Sequence, residues 1–418
     1  MSFVLSPFLF SILSSSIAQA SVPPSARFQY INAGEFGEYI VEYDANYRFL
    51  DPFAQPFQLC FYNTTPNAYT LAVRMGTVSS EGLMRWVWEA NRGIPVDESA
   101  TVTFGEDGNL VLAHSDGRIA WQTNTANKGV VGFELLSNGN MVLYDKNRKF
   151  VWQSFDSPTD TLLVGQSLKL EGVTKLVSRA SRKQNRNGRY SLVLEPKSLP
   201  IVPYIYFSFS SNFGLEKGLL KYVRLNSDLS LSTKLGNLRL SSRSYNTTLS
   251  YLRLDINGNL KLYTYLYDNE PRGDMAWENT FTLFDAKPQS LEGTCQLPET
   301  CGELGLCSNG TCVACPAPNG LKKWTTKCEQ ANVEKACKAK QGVRYVKLEG
   351  VDHFMSKYSK GNGPMKLETC RNKCTNDCKC LGHFYNTQTH KCWIAYDLKT
   401  LTKVPYSTHL AFLKMPIN

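Results

Sequence analysis

The chain has 418 residues, a length that suits two to four domains. Hydrophobic residues make up 42% of it and aromatic residues 12%, which excludes wholesale disorder. The formal net charge is +10, and residues from 295 onward contribute +9 of it, with 18 Lys and Arg against 9 Asp and Glu.

The first 20 residues have the pattern of a secretory signal peptide. An apolar run from Phe3 to Ile17 leads to Ala18-Gln19-Ala20, a cleavage site of the small-x-small type. The run is too short for a membrane span, and no later segment reaches 18 uninterrupted apolar residues. We therefore predict a signal peptide at residues 1–20 and a secreted protein without a transmembrane anchor; the alternative is that this segment is a mature N-terminal strand or anchor. Because the protein is expected to be secreted, we do not expect nucleic acid as a partner. Secretion also agrees with three N-x-[ST] triplets, which predict N-glycosylation at Asn63, Asn246 and Asn309.

The cysteines cluster towards the C-terminus. Only Cys60 precedes residue 295, and the other 12 of the 13 lie in the last 124 residues. An even number of cysteines in a secreted tail predicts a disulfide framework. Cys312-x-x-Cys315 also has a zinc-site spacing, but the chain holds only five histidines and the secretory route favours oxidation, so we expect no metal. Cys60 is then either a buried free thiol or half of an intermolecular bridge.

Between Phe28 and Tyr265 the sequence is strand-like. Short runs of Val, Leu, Tyr and Phe are separated by Asp-Gly and Asn-Gly turns, and no long stretch has a 3.6-residue apolar period. The segment Gly108–Trp121 aligns without gaps on Gly139–Trp152, 31 residues later, and a third copy with a longer central loop runs from Gly258 to Trp277. Each copy has the pattern of a hairpin that ends in Trp. Such hairpins must share a core, so they predict a β-prism or similar barrel filled by the tryptophans, with a second β-domain for the distant copy.

The remaining segments have other patterns. Residues 166–190 form a connector, in which the Lys, Arg and Asn of Ser181–Arg189 predict a loop. Cys295–Cys328 is a compact segment with EGF-like cysteine spacing. Met365–Asn376 predicts a short helix with Cys370 and Cys374 on one face, so we expect a helix stapled to a small sheet.

The hairpin strands suggest one binding chemistry. In Asp107-x-Asn109-x-Val111 alternate residues share a face because a strand has a period of two. A carboxylate and an amide at this spacing suit a vicinal diol of a sugar, and the valine suits the C–H face of its ring. The alternative is that Asp-Gly-Asn serves only as a β-turn before the strand.

These hairpins resemble the bulb-type lectin repeat, whose mannose motif is Gln-x-Asp-x-Asn-x-Val-x-Tyr. The blocks Trp88–Val96 (WEANRGIPV) and Trp152–Leu168 (WQSFDSPTDTLLVGQSL) resemble the extracellular region of S-locus glycoproteins and S-domain receptor kinases. With Phe57–Pro66 (FQLCFYNTTP), they are most similar to the plant epidermis-specific secreted glycoproteins, which lack the transmembrane and kinase parts. The resemblance covers residues 22–418 and implies an extracellular or cell-wall location.

By this resemblance the candidate carbohydrate-binding residues are Asp107, Asn109 and Val111 of the first repeat and Asn138, Asn140, Val142 and Tyr144 of the second. The first repeat keeps Asp107, Asn109 and Val111, with Gly105 and Ala113 at the Gln and Tyr positions. The second has Leu136 at the Gln position and Asn138 at the Asp position, and keeps Asn140, Val142 and Tyr144. The third has Asp255, Asn257, Asn259, Lys261 and Tyr263. No repeat keeps all five residues, so we expect mannose binding to be weak or lost.

The tail resembles the plant PAN/apple module. That resemblance implies the pairs Cys370–Cys392 and Cys374–Cys380 and leaves Cys378 in need of an upstream partner such as Cys337. In the EGF-like segment we predict the pair Cys295–Cys307. PAN modules bind protein or carbohydrate, or serve as a structural cap. The chain has no G-x-S-x-G, H-E-x-x-H or P-loop motif, so we predict no catalytic residues, no cofactor and no enzyme activity.

The sequence thus predicts a mainly β protein built from tandem bulb-type lectin β-prism domains, a Cys-rich EGF-like segment and a small α+β PAN/apple-like module. The expected boundaries are 28–165, 170–285, 295–328 and 337–418. The predicted role is a secreted recognition glycoprotein, with mannose-type glycans or acidic wall polysaccharide as ligands. The alternatives are a structural wall protein without a ligand, or a soluble partner of receptor-kinase ectodomains.

Overall fold

The structure is a computed structural model that describes residues 21–76, 84–196, 198–199, 201–202, 220–240, 249–265, 277–285, 292–326, 328, 332–339 and 342–417. The predicted signal peptide and Asn246 lie outside these residues. Among the described residues the fold is mainly β, as the sequence predicts, and the two α-helices found there both lie in the C-terminal part.

The first eleven strands form three antiparallel sheets, ordered β2-β3-β4-β5, β1-β6-β7-β8 and β9-β10-β11. Each sheet contributes one tryptophan, Trp88, Trp121 or Trp152, and the three rings meet edge to face with centroids 5.8–6.1 Å apart. This aromatic triangle lies at the centre of a three-sided unit, which we call the first prism. Its strands are β1 (Phe28–Ile31), β2 (Asn46–Ala54), β3 (Phe57–Asn63), β4 (Thr70–Met75), β5 (Arg85–Glu89), β6 (Thr101–Phe104), β7 (Leu110–Ala113), β8 (Ile119–Gln122), β9 (Val130–Leu135), β10 (Met141–Asp145) and β11 (Phe150–Gln153).

The next eleven strands repeat this plan as the second prism, with sheets β12-β20-β21-β22, β13-β17-β18-β19 and β14-β15-β16. Its core is leucine-rich instead of aromatic. Trp277, which the repeat places in a core, lies half-buried against Tyr251 and Tyr265 beside the core of the first prism. The strands are β12 (Thr161–Leu163), β13 (Ser167–Lys169), β14 (Lys175–Arg179), β15 (Asn187–Val193), β16 (Ile201–Val202), β17 (Tyr222–Leu225), β18 (Ser230–Thr233), β19 (Gly236–Arg239), β20 (Ser250–Leu254), β21 (Leu260–Tyr265) and β22 (Trp277–Thr282).

Besides the short parallel pair of β23 and β24, the described C-terminal part contains two larger sheets, ordered β27-β26-β25-β32-β29 and β28-β33-β30-β31. The first of them joins the Cys-rich segment to the predicted PAN-like segment, residues 337–418, through the parallel pair of β25 and β32, so the two segments share a sheet and a core. The elements are β23 (Phe284–Asp285), β24 (Glu292–Gly293), β25 (Leu306–Ser308), β26 (Thr311–Ala317), β27 (Gly320–Lys323), α1 (Val333–Lys338), β28 (Val343–Glu349), β29 (Val351–His353), α2 (Leu367–Thr375), β30 (Gly382–Asn386), β31 (Lys391–Ala395), β32 (Leu401–Lys403) and β33 (His409–Pro416). No helix among the described residues is long and apolar enough to cross a bilayer.

Disulfides add to the hydrophobic core of this part of the chain, whose two described helices have only six and nine residues. Helix α2 presents Cys370 and Cys374 on its buried face, towards the sheet. The bonds join Cys295 to Cys307, Cys301 to Cys312, Cys315 to Cys328, Cys337 to Cys378, Cys370 to Cys392 and Cys374 to Cys380. Cys60 is a buried free thiol in the first prism, and burial raises its pKa to about 12.

Candidate functional site

The candidate sugar-binding hairpins share one turn. In each, a short polar side chain accepts a hydrogen bond from the backbone N–H two residues later, which closes the turn before the strand. This oxygen is therefore occupied by the fold. The pairs are Asp107 with Asn109 (3.0 Å), Asn138 with Asn140 (3.1 Å), Asn257 with Asn259 (3.1 Å) and Asp228 with Ser230 (3.0 Å).

The last of these turns is a fourth copy that the sequence analysis missed. It lies between β17 and β18, and Leu229 stands where the other copies have glycine, at a φ of 60°. A search for Gly-Asn passes over this copy because both residues are replaced. The signal that remains is Asp228-x-Ser230 followed by alternating leucine, a weaker pattern than the glycine turns.

In the second repeat, the best preserved copy, Asn140 and Val142 are not accessible to a sugar. Asn140 is only 3% exposed. Its side-chain nitrogen donates to the Gln153 side chain (2.8 Å), and its oxygen accepts from the backbone N–H of Phe155 (3.2 Å). Val142, the predicted floor for the sugar ring, is fully buried. Asn140, just before β10, is thus bonded to Gln153 of β11, and the side chains of Asn140 and Val142 do not face solvent.

Tyr144 is half-buried. Its ring lies against Gly132, where an added Cβ would stand 2.4 Å from the ring. The Arg148 guanidinium lies 3.9 Å from the ring centroid and is fixed by an ion pair with Glu134 (2.6 Å). The tyrosine therefore packs between a strand and an arginine.

The first repeat differs from the second in the exposure of its valine. Asp107 is exposed and Val111 is half-buried, so the floor for a sugar ring is accessible. Asn109 is buried, and its amide is shared among Gln122 (2.8 Å), Thr123 (2.9 Å) and Thr125 (3.1 Å). Because the Gln and Tyr positions hold Gly105 and Ala113, the open floor lacks two polar groups of the motif.

In the third repeat the substituted positions pair with one another. The Asp255 carboxylate lies 2.9 Å from the Lys261 ammonium and accepts a 3.0 Å hydrogen bond from the Tyr263 hydroxyl. Burial raises the pKa values of both Asp255 and Tyr263. The charges of Asp255 and Lys261 neutralise each other, so these side chains and Tyr263 form an internal polar contact of the second prism. Within the described ranges, no group of three or more His, Cys, Asp and Glu is arranged to hold a metal ion.

Comparison with known proteins agrees with this architecture. The family described as D-mannose binding lectin matches residues 85–183, from β5 of the first prism to the loop after β14. The predicted connector at 166–190 is wrong, because β13 and β14 of the second prism lie within it. EP1-like glycoprotein 3 of Arabidopsis thaliana is 45% identical, with 99% of this chain and 96% of the relative covered. The epidermis-specific secreted glycoprotein EP1 of Daucus carota is 50% identical over 83% of this chain and 97% of its own.

The chain belongs to the EP1-like family of secreted glycoproteins. A G-type lectin S-receptor-like serine/threonine-protein kinase of Arabidopsis thaliana, SD2-5, is more distant. It is 25% identical over 79% of this chain, which corresponds to 40% of the kinase.

Inside this EP1-like chain, a buried ion network joins the two prisms. Three acids, Glu42, Glu89 and Asp160, face three arginines. The arginines bridge from one prism to the other: Arg92 to Asp160 (2.9 Å), Arg179 to Glu89 (3.3 Å) and Arg253 to Glu42 (2.5 Å). Each ion has a partner of opposite charge, as a buried charge requires. Sequence patterns gave no sign of this network, because its members come from separate strands and loops.

The glycosylation acceptors lie in different environments. Asn309 is exposed at the turn between β25 and β26. Asn63 ends β3, is 4% exposed, and its side-chain oxygen accepts a hydrogen bond from Asn46 (3.2 Å). Thr64 and Thr65 of its acceptor triplet both donate to the backbone oxygen of Lys183 (2.9 Å), in the basic loop after β14.

Proposed function

We propose that this protein is a non-catalytic glycoprotein of the extracellular space that binds acidic wall polysaccharide through its basic C-terminal part. The prisms then serve as a rigid lectin-derived scaffold. The observation that carries this proposal is the exposed positive charge of residues 342–417.

That segment contains 12 Lys and Arg against 5 Asp and Glu, a difference of +7. Nine of the twelve basic side chains are exposed, so the charge faces solvent: Arg344, Lys347, Lys357, Lys360, Lys366, Arg371, Lys373, Lys379 and Lys403. A surface with this excess attracts a polyanion over about one Debye length, ~8–10 Å at moderate salt.

The hairpins favour this assignment over mannose binding. The second repeat hides Asn140 and Val142 inside the first prism, and the third neutralises its own polar groups. Shallow sugar sites depend on several hydrogen bonds of about 0.5–1.5 kcal/mol each, so the loss of two or more removes most of the affinity.

Affinity chromatography tests the proposal. We expect the secreted protein to be retained on immobilised polygalacturonate at low salt, to elute as salt rises, and to pass through mannan. Fully methyl-esterified polygalacturonate is the matched neutral matrix and should not retain it. Equal retention on the esterified matrix, or retention that salt does not weaken, would exclude an electrostatic interaction. Retention on mannan would restore the mannose hypothesis.

A further inference from the structure

The PAN-like segment contains a cavity of about 450 Å³ that no sequence motif marks. It lies beside strand β31, between the end of that strand and the loop at 359–362. Phe384 and Trp393 provide apolar walls, Tyr396 stands at the edge with 59% of its surface exposed, and the polar side chains of Lys360 and Asn362 also line it. A largely apolar cavity of this volume with a few polar groups has the usual make-up of a small-ligand site.

The cavity is formed before any ligand arrives. The Trp393 indole N–H donates to the backbone oxygen of Ser359 (3.2 Å), which fixes the ring against the loop. Asn362 exchanges two backbone hydrogen bonds with Cys392 (2.7 and 2.9 Å), whose sulfur is bonded to helix α2. Gly361, at a φ of 61°, packs so closely on the indole that an added Cβ would lie 2.6 Å from it. A ligand therefore meets a fixed wall.

The charge of the lining favours an anion. Among the described residues, Asp397 is the single acid that lines the cavity, and its carboxylate is paired with Arg189 of the second prism (3.2 Å). The Lys360 ammonium is exposed and makes no ion pair among the described residues. Burial lowers the pKa of His353, at the inner end, to about 4, so that this imidazole is neutral at ordinary pH.

We propose that this cavity is a subsite for one uronate unit of an acidic glycan. The pyranose C–H face packs on Trp393 and Tyr396, the carboxylate meets the Lys360 ammonium, and Asn362 is in place for a ring hydroxyl. Aromatic faces suit the C–H surface of a sugar, and charge-assisted contacts suit its carboxylate. The inference rests on the proposed function and adds a specific site to its general electrostatic attraction.

Titration calorimetry of the intact protein with trigalacturonate tests the site. We expect Lys360→Gln to weaken binding about fivefold, the size of one partly exposed charge-assisted contact. Tyr396→Ala should weaken it by a similar factor, whereas Tyr396→Phe, which keeps the ring, should bind like the wild type. Lys403→Gln is the matched control, because it removes the same charge from an exposed position outside the cavity.

Two further ligands distinguish the contribution of the carboxylate charge from that of the sugar rings. Acetate at the same carboxylate concentration should not compete with trigalacturonate, and the methyl-esterified trisaccharide should bind at least fivefold more weakly. Equal losses for Lys360→Gln and Lys403→Gln would overturn the subsite and leave retention on polygalacturonate unaffected. Conversely, Lys360-dependent binding of trigalacturonate without retention on the polymer would support the subsite and overturn the proposed function.

Discussion

The Arg179 guanidinium lies 3.3 Å from the Glu89 carboxylate, and the two side chains are 1% and 2% exposed. Arg179 ends the first strand of a second-prism sheet, and Glu89 ends β5 of the first prism. Arg179 also donates to the Tyr62 hydroxyl (2.6 Å) and to the Thr64 hydroxyl (3.0 Å), so one side chain reaches two strands of the other prism. Buried ion pairs thus join the two prisms, and each prism covers part of the other's surface.

Removing this arginine should destabilise the whole pair of prisms. We expect Arg179→Met to lower the free energy of unfolding by about 3 kcal/mol, since it leaves a buried carboxylate with one partner fewer. Arg182→Met is the control, because Arg182 forms an exposed pair with Asp44 (3.3 Å) for which the expected loss is below about 1 kcal/mol. Urea denaturation followed by tryptophan fluorescence measures both. If one prism of the wild type unfolded in a separate transition at lower urea concentration, the two prisms would not form one cooperative unit.

Local features of the sequence predicted the strands well and the long-range contacts poorly. Alternating residues and Asp-Gly turns identify β7 and β10 because their signals lie within about ten residues. The Arg179–Glu89 pair spans 90 positions, and neither residue carries a signal that it is buried. The sheet shared by β25 and β32 was missed for the same reason, since the cysteine spacing suggests two separate units.

The candidate site shows the same limit. The sequence identifies the motif positions, but it does not show which of their side-chain groups are free to bind a ligand. Asn140 fits both a sugar ligand and a turn, and only its contacts with Gln153 and Phe155 decide in favour of the turn. The cavity beside Trp393 has no motif because its lining comes from four separate stretches of chain.

Restoring the mannose motif should therefore succeed in one repeat and fail in the other. We expect Gly105→Gln with Ala113→Tyr to create measurable binding of methyl α-mannoside in the first repeat, where Val111 is accessible. The corresponding pair Leu136→Gln with Asn138→Asp should create none, because Val142 is fully buried. Titration calorimetry on folded proteins measures both. Binding by the second variant alone would show that the buried valine does not decide the outcome.

Asn140 should behave as a residue of the fold in the same experiments. We expect Asn140→Ala to lower the free energy of unfolding by about 2 kcal/mol, because it leaves the Phe155 N–H and the Gln153 side chain without this partner. The exposed Asn138→Ala, which loses a single turn contact, should cost less. Chemical denaturation gives both values, and equal costs would mean that burial of Asn140 adds nothing.

Acid should destabilise the PAN-like segment through His383. This imidazole is fully buried between Tyr345 and Phe412, below Arg371 of helix α2, and neither ring nitrogen has a partner among the described residues. Burial and then the Arg371 charge lower its pKa from 6.5 to about 4. Between these values the unfolded chain binds the proton more readily, so stability falls as the pH falls from 6.5 towards 4, by up to ~3 kcal/mol.

The variant His383→Phe isolates this contribution, because His353 and the carboxylates titrate equally in both proteins. We expect the free energy of unfolding of this variant to fall less steeply between pH 6.5 and 4. At pH 7 it should equal or exceed that of the wild type, because the variant lacks the two buried ring nitrogens that have no hydrogen-bond partner among the described residues. Thermal unfolding at a series of pH values measures the difference. Parallel curves across that window would mean that His383 is already partnered or accessible.

N-glycosylation should distinguish Asn309 from Asn63. A glycan needs its asparagine nitrogen to project into solvent, and Asn309 does so at a hairpin turn. Asn63 is 4% exposed, beside the basic loop that Thr64 and Thr65 hold through Lys183. In an Asn246→Gln background, we expect Asn309→Gln to lower the intact mass by one glycan and Asn63→Gln to leave it unchanged. A glycan found at Asn63 in folded, secreted protein would require the loop to leave the first prism, which would in turn expose Arg179.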